Sequence, residues 1–520
     1  MKYYNFFPNS SIKKLLVCIG LWLFSNGQGI TNDAVISNLA ILTQNTTLDY
    51  THVQFDIAWS NSWRVAAAPA NWDACWMFIK WRKQGTTVWN HGTINYVDGT
   101  AANDGHTQPA NSTITTTSDG KGMFIYRSAN FAQAAVSYTG VKLRWNYGTD
   151  GLVDSDLVEV AVLAIEMVYV PQGSFYLGSG GAESGAFYTH PTTTNAYQVA
   201  SENAINVGAT AGYLNYPSGG NLGDGAGPIP AAFPKGYDAF YCMKTEASQE
   251  QYVHFLNKLT YAQQDTRTAN AAGPAGISGA TALISGARNG VEINTPGVNP
   301  GTPAVYGCNL DNDGIFDEAL DGAAIACNQL SWEDQIAYLD WAALRPMSEL
   351  EYEKACRGTA AVVANEYAWG GTTNANASAT ITNSGAVNET PSAGSRSAST
   401  GGVAGPLRGG SFAQAATTRL AAGASFYGIM EMSGNLWERP VTVGQGSIGR
   451  IFTGLIGDGA LDASGNANVT NWPAGATGIG FRGGNYSFGA TAMRVSDRSY
   501  AANVQAGRYI SFGIRGVREP

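Results

Sequence analysis

Hard oxygen donors stand at alternate positions in Asn309-Leu310-Asp311-Asn312-Asp313-Gly314-Ile315-Phe316-Asp317-Glu318, with Gly in sixth place. An EF-hand-like calcium loop opens this way, because calcium accepts six to eight irregularly placed oxygens and the glycine permits the sharp turn. Asn309, Asp311, Asp313 and Asp317 are the expected donors. The end of the run departs from the pattern: Leu320 stands where a bidentate Glu belongs, with Glu318 and Asp321 as neighbours able to reach in. The same run reads equally as an Asx-rich turn clipped by Cys308 and Cys327. Softer ligands are scarce, with 6 Cys and 5 His in the chain. Cys18 lies in an N-terminal apolar run, which leaves Cys75, Cys242, Cys308, Cys327 and Cys356 for the mature protein. That odd number leaves at least one thiol free unless it pairs between chains. Cys308 and Cys327 bracket a short loop and are the expected disulfide, while Cys75 is expected as a buried free thiol. His52, His91 and His106 share no ligand spacing. Nothing reads as a phosphate loop, an H-E-x-x-H helix or a G-x-S-x-G elbow.

The elements that must position these groups fall into two domains and a leader. Lys2, Lys13 and Lys14 precede the apolar run Leu15 to Phe24, which ends in small and polar residues. The run is too short to span a bilayer and reads as a cleavable export signal over 1–29. The mature chain is then secreted, periplasmic or at the cell surface, with no membrane span. A net charge of -9 leaves no basic face for phosphates, so nucleic acid is not an expected partner. Residues 30–164 show period-two bursts such as Val53 to Trp59, Trp76 to Trp81, Gly122 to Tyr126 and Val141 to Trp145, broken by turn residues. These predict an all-β sandwich. The apolar run Leu157 to Val170 leads into a second domain, 165–520. There, capping boxes at Ser248…Gln251, Ser331…Asp334 and Ser348…Glu351 predict three helix starts. Gly- and Asn-rich stretches at 260–305 and 370–405 are expected as structured surface loops. No convincing helix follows residue 357, and the class is α+β with little regular structure.

Five ordered blocks of the second domain resemble the formylglycine-generating enzyme (sulfatase-modifying factor) family. They are Met167 to Ser179, Phe240 to Glu246 with its helix, Leu330 to Glu353, Tyr427 to Glu438, and Phe481 to Tyr486 with Phe512 to Arg515. The resemblance implies a C-type-lectin-like fold. It also implies calcium at the G-N-x-W-E loop, with Asn435, the Leu436 carbonyl and Glu438 as donors; the other reading of that loop is a tight hydrogen-bonded turn. Formylglycine synthesis in the family uses two copper-binding cysteines after the closing R-G-G block. Here that segment, Asn485 to Arg494, has no cysteine, and Arg439 replaces the second Trp of the family's W-E-W loop. Thiolates suit cuprous copper and oxygen ligands cannot replace them. A sister branch needs three clustered histidines for iron, and only His254 follows His190. Neither copper nor iron is expected.

The expected function is therefore an exported, non-catalytic binding or structural protein for a protein or glycan ligand at the cell exterior. Arg439, Asn485, Tyr486, Phe488, Tyr500, Asn503, Arg508 and Tyr509 are the expected ligand-binding residues, on a C-terminal loop surface that could be diversified among sibling sequences. The alternative is an oxidoreductase-type enzyme of the same family with an altered active site. It requires a deep pocket near Arg439, Tyr486 and Met493.

Overall fold

Strict alternation in Thr51–Arg64 drives one face of that strand inward, with Val53, Phe55, Ile57 and Trp59 buried and their neighbours half-exposed. The computed structural model of the chain describes residues 3–5, 34–414 and 417–520. Apart from the short strand Tyr3–Asn5, the export signal expected over 1–29 lies outside the described residues. The chain divides into two units. The first holds 34–66, 72–166 and 258–260; the second holds 67–71, 167–257 and 261–520.

The first unit is a β-sandwich. Strands β1 (Val35–Ile41), β2 (Thr51–Arg64) and β6 (Phe131–Trp145) form an antiparallel sheet with β2 central. The second sheet takes β3 (Asp73–Lys83), β4 (Ser112–Thr116), β5 (Met123–Arg127) and the first part of β7 (Leu157–Val170), in the order β7-β3-β5-β4. Val53, Phe55 and Ile57 of one sheet share a core with Cys75, Met77 and Ile79 of the other. One buried carboxylate is fully occupied: Asp73 accepts from Trp59 Nε1, Ser62 Oγ and Trp63 N, each at 2.9 Å. Satisfied in this way, the charge ties β3 to β2 without an orphaned donor.

In the second unit the end of β7 pairs with β8 (Phe240–Met243), β8 with β10 (Gly516–Arg518), and β10 with β9 (Arg345–Pro346), all antiparallel. Helices α1 (Gln249–Leu256), α2 (Trp332–Trp341) and α3 (Glu349–Arg357) start at the three predicted serines. Each is closed by a reciprocal capping box, which supplies partners for backbone N–H groups that a helix start leaves free. The stretches at 260–305 and 370–405 carry a short helix, Tyr261–Arg267, and two-residue to five-residue ribbons. A short α-helix does follow residue 357, Arg419–Ala422, capped by Thr418, besides a 3-10 turn at Ala490–Met493. Four residues are too few to show a 3.6 period, so nothing in the pattern marks it. The fold is α+β with little regular structure.

A buried ionic layer lies along α3. Glu349 and Glu353, one turn apart on α3, are both 0% exposed. Glu349 pairs with Arg482 at 3.1 Å and Arg498 at 2.9 Å, and Glu353 pairs with Arg482 at 2.7 Å. Arg357, a further turn along, reaches Glu353 and Glu366. The Arg498 guanidinium also lies 4.0 Å from the Phe187 ring and 4.5 Å from that of Tyr216. Desolvation on this scale is tolerable only because every charge meets an opposite one in hydrogen-bond geometry.

Candidate functional site

The C-terminal loops are staked to this layer by arginines. Arg482 and Arg498 hold the two ends of one loop on α3. Arg508 binds Asp334, the capping residue of α2, through Nε at 2.7 Å and Nη2 at 2.8 Å. Arg515 donates to Glu438 at 2.8 Å and to the Met243 and Met430 carbonyls. Between the stakes the chain is free to expose side chains. Phe488 and Tyr509 are 36% and 49% exposed, Val504 is exposed and Tyr500 half-buried.

Those rings rest on a buried aromatic base. Trp437 lies 5.3 Å from Phe488 and 5.7 Å from Tyr500, and Phe488 meets Tyr500 edge to face at 5.5 Å. Phe512 stacks on Phe481 at 4.8 Å and supports Tyr509 at 5.5 Å. Packed rings lose little freedom on meeting a ligand, which favours binding. Phe488, Tyr500 and Tyr509 are thus brought onto one aromatic layer. Trp437, Phe481 and Phe512 form its floor; sequence reasoning assigned them to family blocks and not to the surface. Their aromatic character beside W-E, F-R-G-G and F-G-I-R was the available signal.

The other expected binding residues make contacts within the fold. Arg508 is the Asp334 stake. Asn485 is buried, its Oδ1 accepting from Ser487 N and Oγ, each at 2.8 Å. Tyr486 is buried against Ala398, Leu407 and Leu436, its hydroxyl donating to the Ile510 carbonyl at 3.3 Å. Asn503 folds back to accept from Gln505 N at 3.0 Å. Arg439 is 2% exposed and lies 4.6 Å from the Phe512 ring, with Nη2 donating to the Gln505 carbonyl at 2.8 Å. Its Nε and Nη1 have no hydrogen-bond partner, and burial lowers its pKa to about 9. It supports the layer from below.

Asn435, Leu436 and Glu438 lie in a turn closed by hydrogen bonds and an ion pair. Asn435 Oδ1 accepts from Leu407 N at 2.8 Å, its amide donates to Glu246, and Leu436 N donates to Glu246 at 2.8 Å. Glu438 is already neutralised by Arg515. Burial raises the carboxyls of Glu246 and Glu438, and burial pushes that of Glu431 up to about 7. In the 309–321 run the donors also differ from expectation. Asn309 is buried and donates to Glu292 at 2.7 Å, and Asp317 accepts from Cys308 N at 2.8 Å. Asp311, Asp313 and Glu318 instead bring one carboxylate oxygen each within 4.8 Å of one another.

The expected Cys308–Cys327 disulfide is not formed. Both are buried thiols outside any disulfide, as are Cys242 and Cys356, and Cys75 is buried as well. Burial pushes Cys242 up to about 12 and raises Cys308, Cys327 and Cys356 as well. A thiol held so far above neutral pH supplies no thiolate, and Asn485 to Arg494 contains no cysteine, so the residues present do not fit a cuprous centre. We expect a disulfide-exchange reagent at pH about 7.5 to leave these thiols unmodified until denaturant is added, because the reagent requires exposed thiolate. Rapid labelling of two or more thiols in the folded protein would contradict this packing.

A family model, the sulfatase-modifying factor enzyme 1-like domain, matches residues 155–520. Among solved structures the chain is similar to Treponema denticola variable protein 1, at 12% identity and a TM-score of 0.30, over 69% of this chain and 96% of that one. No curated protein matches the chain.

Proposed function

The chain belongs to the sulfatase-modifying factor enzyme 1-like family, and within that family we propose for it a binding role without catalysis, as an exported protein that holds a protein or glycan ligand on its C-terminal loops. The observation that carries this reading is the contrast between base and surface. Arg482, Arg498, Arg508 and Arg515 are fixed by buried carboxylates, while Phe488, Val504 and Tyr509 between them stay exposed and Tyr500 half-buried. Exposed residues can then change without disturbing the fold, which suits a diversified surface.

An oxidoreductase with altered chemistry would need an open pocket at Arg439, Tyr486 and Met493. All three side chains are buried. Met493 is 0% exposed and packs with Tyr367 and Trp369. A Cβ on Gly484, where φ is +71°, would lie 2.4 Å from Met493 Cγ. Glycine is required there to admit the methionine. Among the described residues no helix is long and apolar enough to cross a membrane, and export rests on the N-terminal run.

The proposal is tested by panning the mature protein against glycan and extracellular-protein arrays, beside the variant Phe488→Ala/Tyr500→Ala/Tyr509→Ala. We expect any ligand captured by the native protein to bind the variant at least about tenfold more weakly, since packed aromatics dominate such surfaces. The variant's melting temperature should stay near that of the native protein. Undiminished binding, or conversion of a cysteine peptide to its aldehyde, would overturn the reading. Sibling sequences scrambled between 485 and 511 but otherwise alike would support diversification; uniform substitution along the chain would oppose it.

A further inference from the structure

We propose that the loop from Asp311 to Asp321 is a calcium site whose donors are Asp311, Asp313, Glu318 and Asp321. Three of these carboxylates already converge, with one oxygen each inside 4.8 Å of the others, and all three side chains are exposed. Like charges at that separation repel unless something relieves them.

The fourth residue separates this cluster from an ordinary acidic surface. Asp321 is 0% exposed. Its Oδ2 accepts from Glu318 N at 2.7 Å, but its Oδ1 is shut off from solvent and has no hydrogen-bond donor. Leaving a buried carboxylate oxygen without a donor is costly. The charged groups that bear on Asp321 are Asp311 and Glu318, and those on Glu318 are Asp313 and Asp311. Every charged neighbour named is of the same sign. A cation would supply what this set lacks.

The backbone holds the donors in place. Asp317 N donates to the Cys308 carbonyl at 2.9 Å, and Leu310 N to the Asp321 carbonyl at 3.3 Å, so the loop is closed at its base. Positive φ at Asn312 (59°) and Gly314 (84°) curls the chain between the aspartates. Asp313 N and Ile315 N donate to Asp311 Oδ1 and Asp313 Oδ1, at 3.3 and 2.7 Å, which orients both carboxylates. All donors are hard oxygens on an irregular loop. Calcium accepts that geometry with six to eight ligands, completing its shell with water, whereas magnesium demands a near-ideal octahedron. Asp321 takes the closing role that Leu320 cannot fill.

The test is isothermal titration of the chelator-treated full chain with calcium chloride, and separately with magnesium chloride. It is paired with thermal unfolding in calcium and in chelator. We expect one saturable calcium site with Kd of about 0.1–1 mM, as in extracellular modules, and a higher melting temperature in calcium. Asp311→Asn/Asp313→Asn changes only exposed side chains, so it should match the native circular dichroism in chelator yet bind calcium at least about tenfold more weakly. Asp321→Asn should also weaken binding. No saturable heat up to about 10 mM calcium, equal affinity in the double variant, or an equal response to magnesium would each overturn the assignment.

Discussion

Replacing Glu349 by Ala will destabilise the protein by about 3–5 kcal/mol, a large share of the 5–15 kcal/mol typical of a folded domain. The carboxylate accepts five hydrogen bonds in a fully buried position. Oε1 takes Thr442 Oγ1 at 2.9 Å, Val443 N at 2.8 Å and Arg498 Nη2 at 3.0 Å. Oε2 takes Arg482 Nη1 at 3.1 Å and Arg498 Nε at 2.9 Å. Burial by itself would raise this carboxyl, but Arg498 and Arg482 outweigh it and hold it below the ordinary range. Alanine would strand Arg498 with no carboxylate partner, and leave Arg482 with Glu353 alone. The penalty is that of uncompensated buried charge, which exceeds the net worth of the pair. Because Arg498 also anchors the loop bearing Tyr500, exposed aromatics should lose their fixed placement together with the stability. Urea unfolding followed by tryptophan fluorescence would measure the loss. A change below about 1 kcal/mol would mean the ionic layer is not what holds the loops. The sign with pH follows from the lowered pKa: this stabilisation is present above the unfolded carboxyl range and is lost on acidification.

That layer marks the limit of what the sequence discloses. The capping serines 248, 331 and 348 are legible because donor and acceptor lie three residues apart, and the inward face of β2 is legible because period two is local. The partners of Glu349 are 133 and 149 residues away, and Asp334 is 174 residues from Arg508. No spacing rule reaches that far. Nothing near Arg508 in the sequence announces its bond to Asp334, and Asn485 and Tyr486 read as surface when they are buried. Cys308 and Cys327 bracket a short stretch, yet nearness along the chain does not set the sulfur geometry a disulfide needs. The acidic loop shows the intermediate case. Its chemistry is visible in Asp311 and Asp313, whereas burial of Asp321 with an unmet oxygen is a property of the fold alone.

Glu431→Gln will stabilise the protein above neutral pH and flatten its pH dependence. The residue as a whole is half-buried, but its Oε2 is shut from solvent and has no hydrogen-bond partner, while Oε1 accepts from Gly410 N at 2.7 Å. Burial, opposed by Arg515 and reinforced by Glu438, places its folded pKa at about 7 against 4.5. Between those values the folded protein keeps the proton and the unfolded chain releases it, so stability falls as pH rises across that window. That difference corresponds to about 3 kcal/mol once both states are ionised. Gln cannot ionise, and its carbonyl can retain the Gly410 bond, so the variant should resemble the native protein near pH 5 and exceed it by about 2–3 kcal/mol near pH 8. Denaturant midpoints at those two pH values decide the matter. Parallel curves for the two proteins would show that Glu431 is already charged and compensated in the fold. A crossing from near equality to a clear advantage for Gln would show that this buried carboxyl opposes folding at neutral pH.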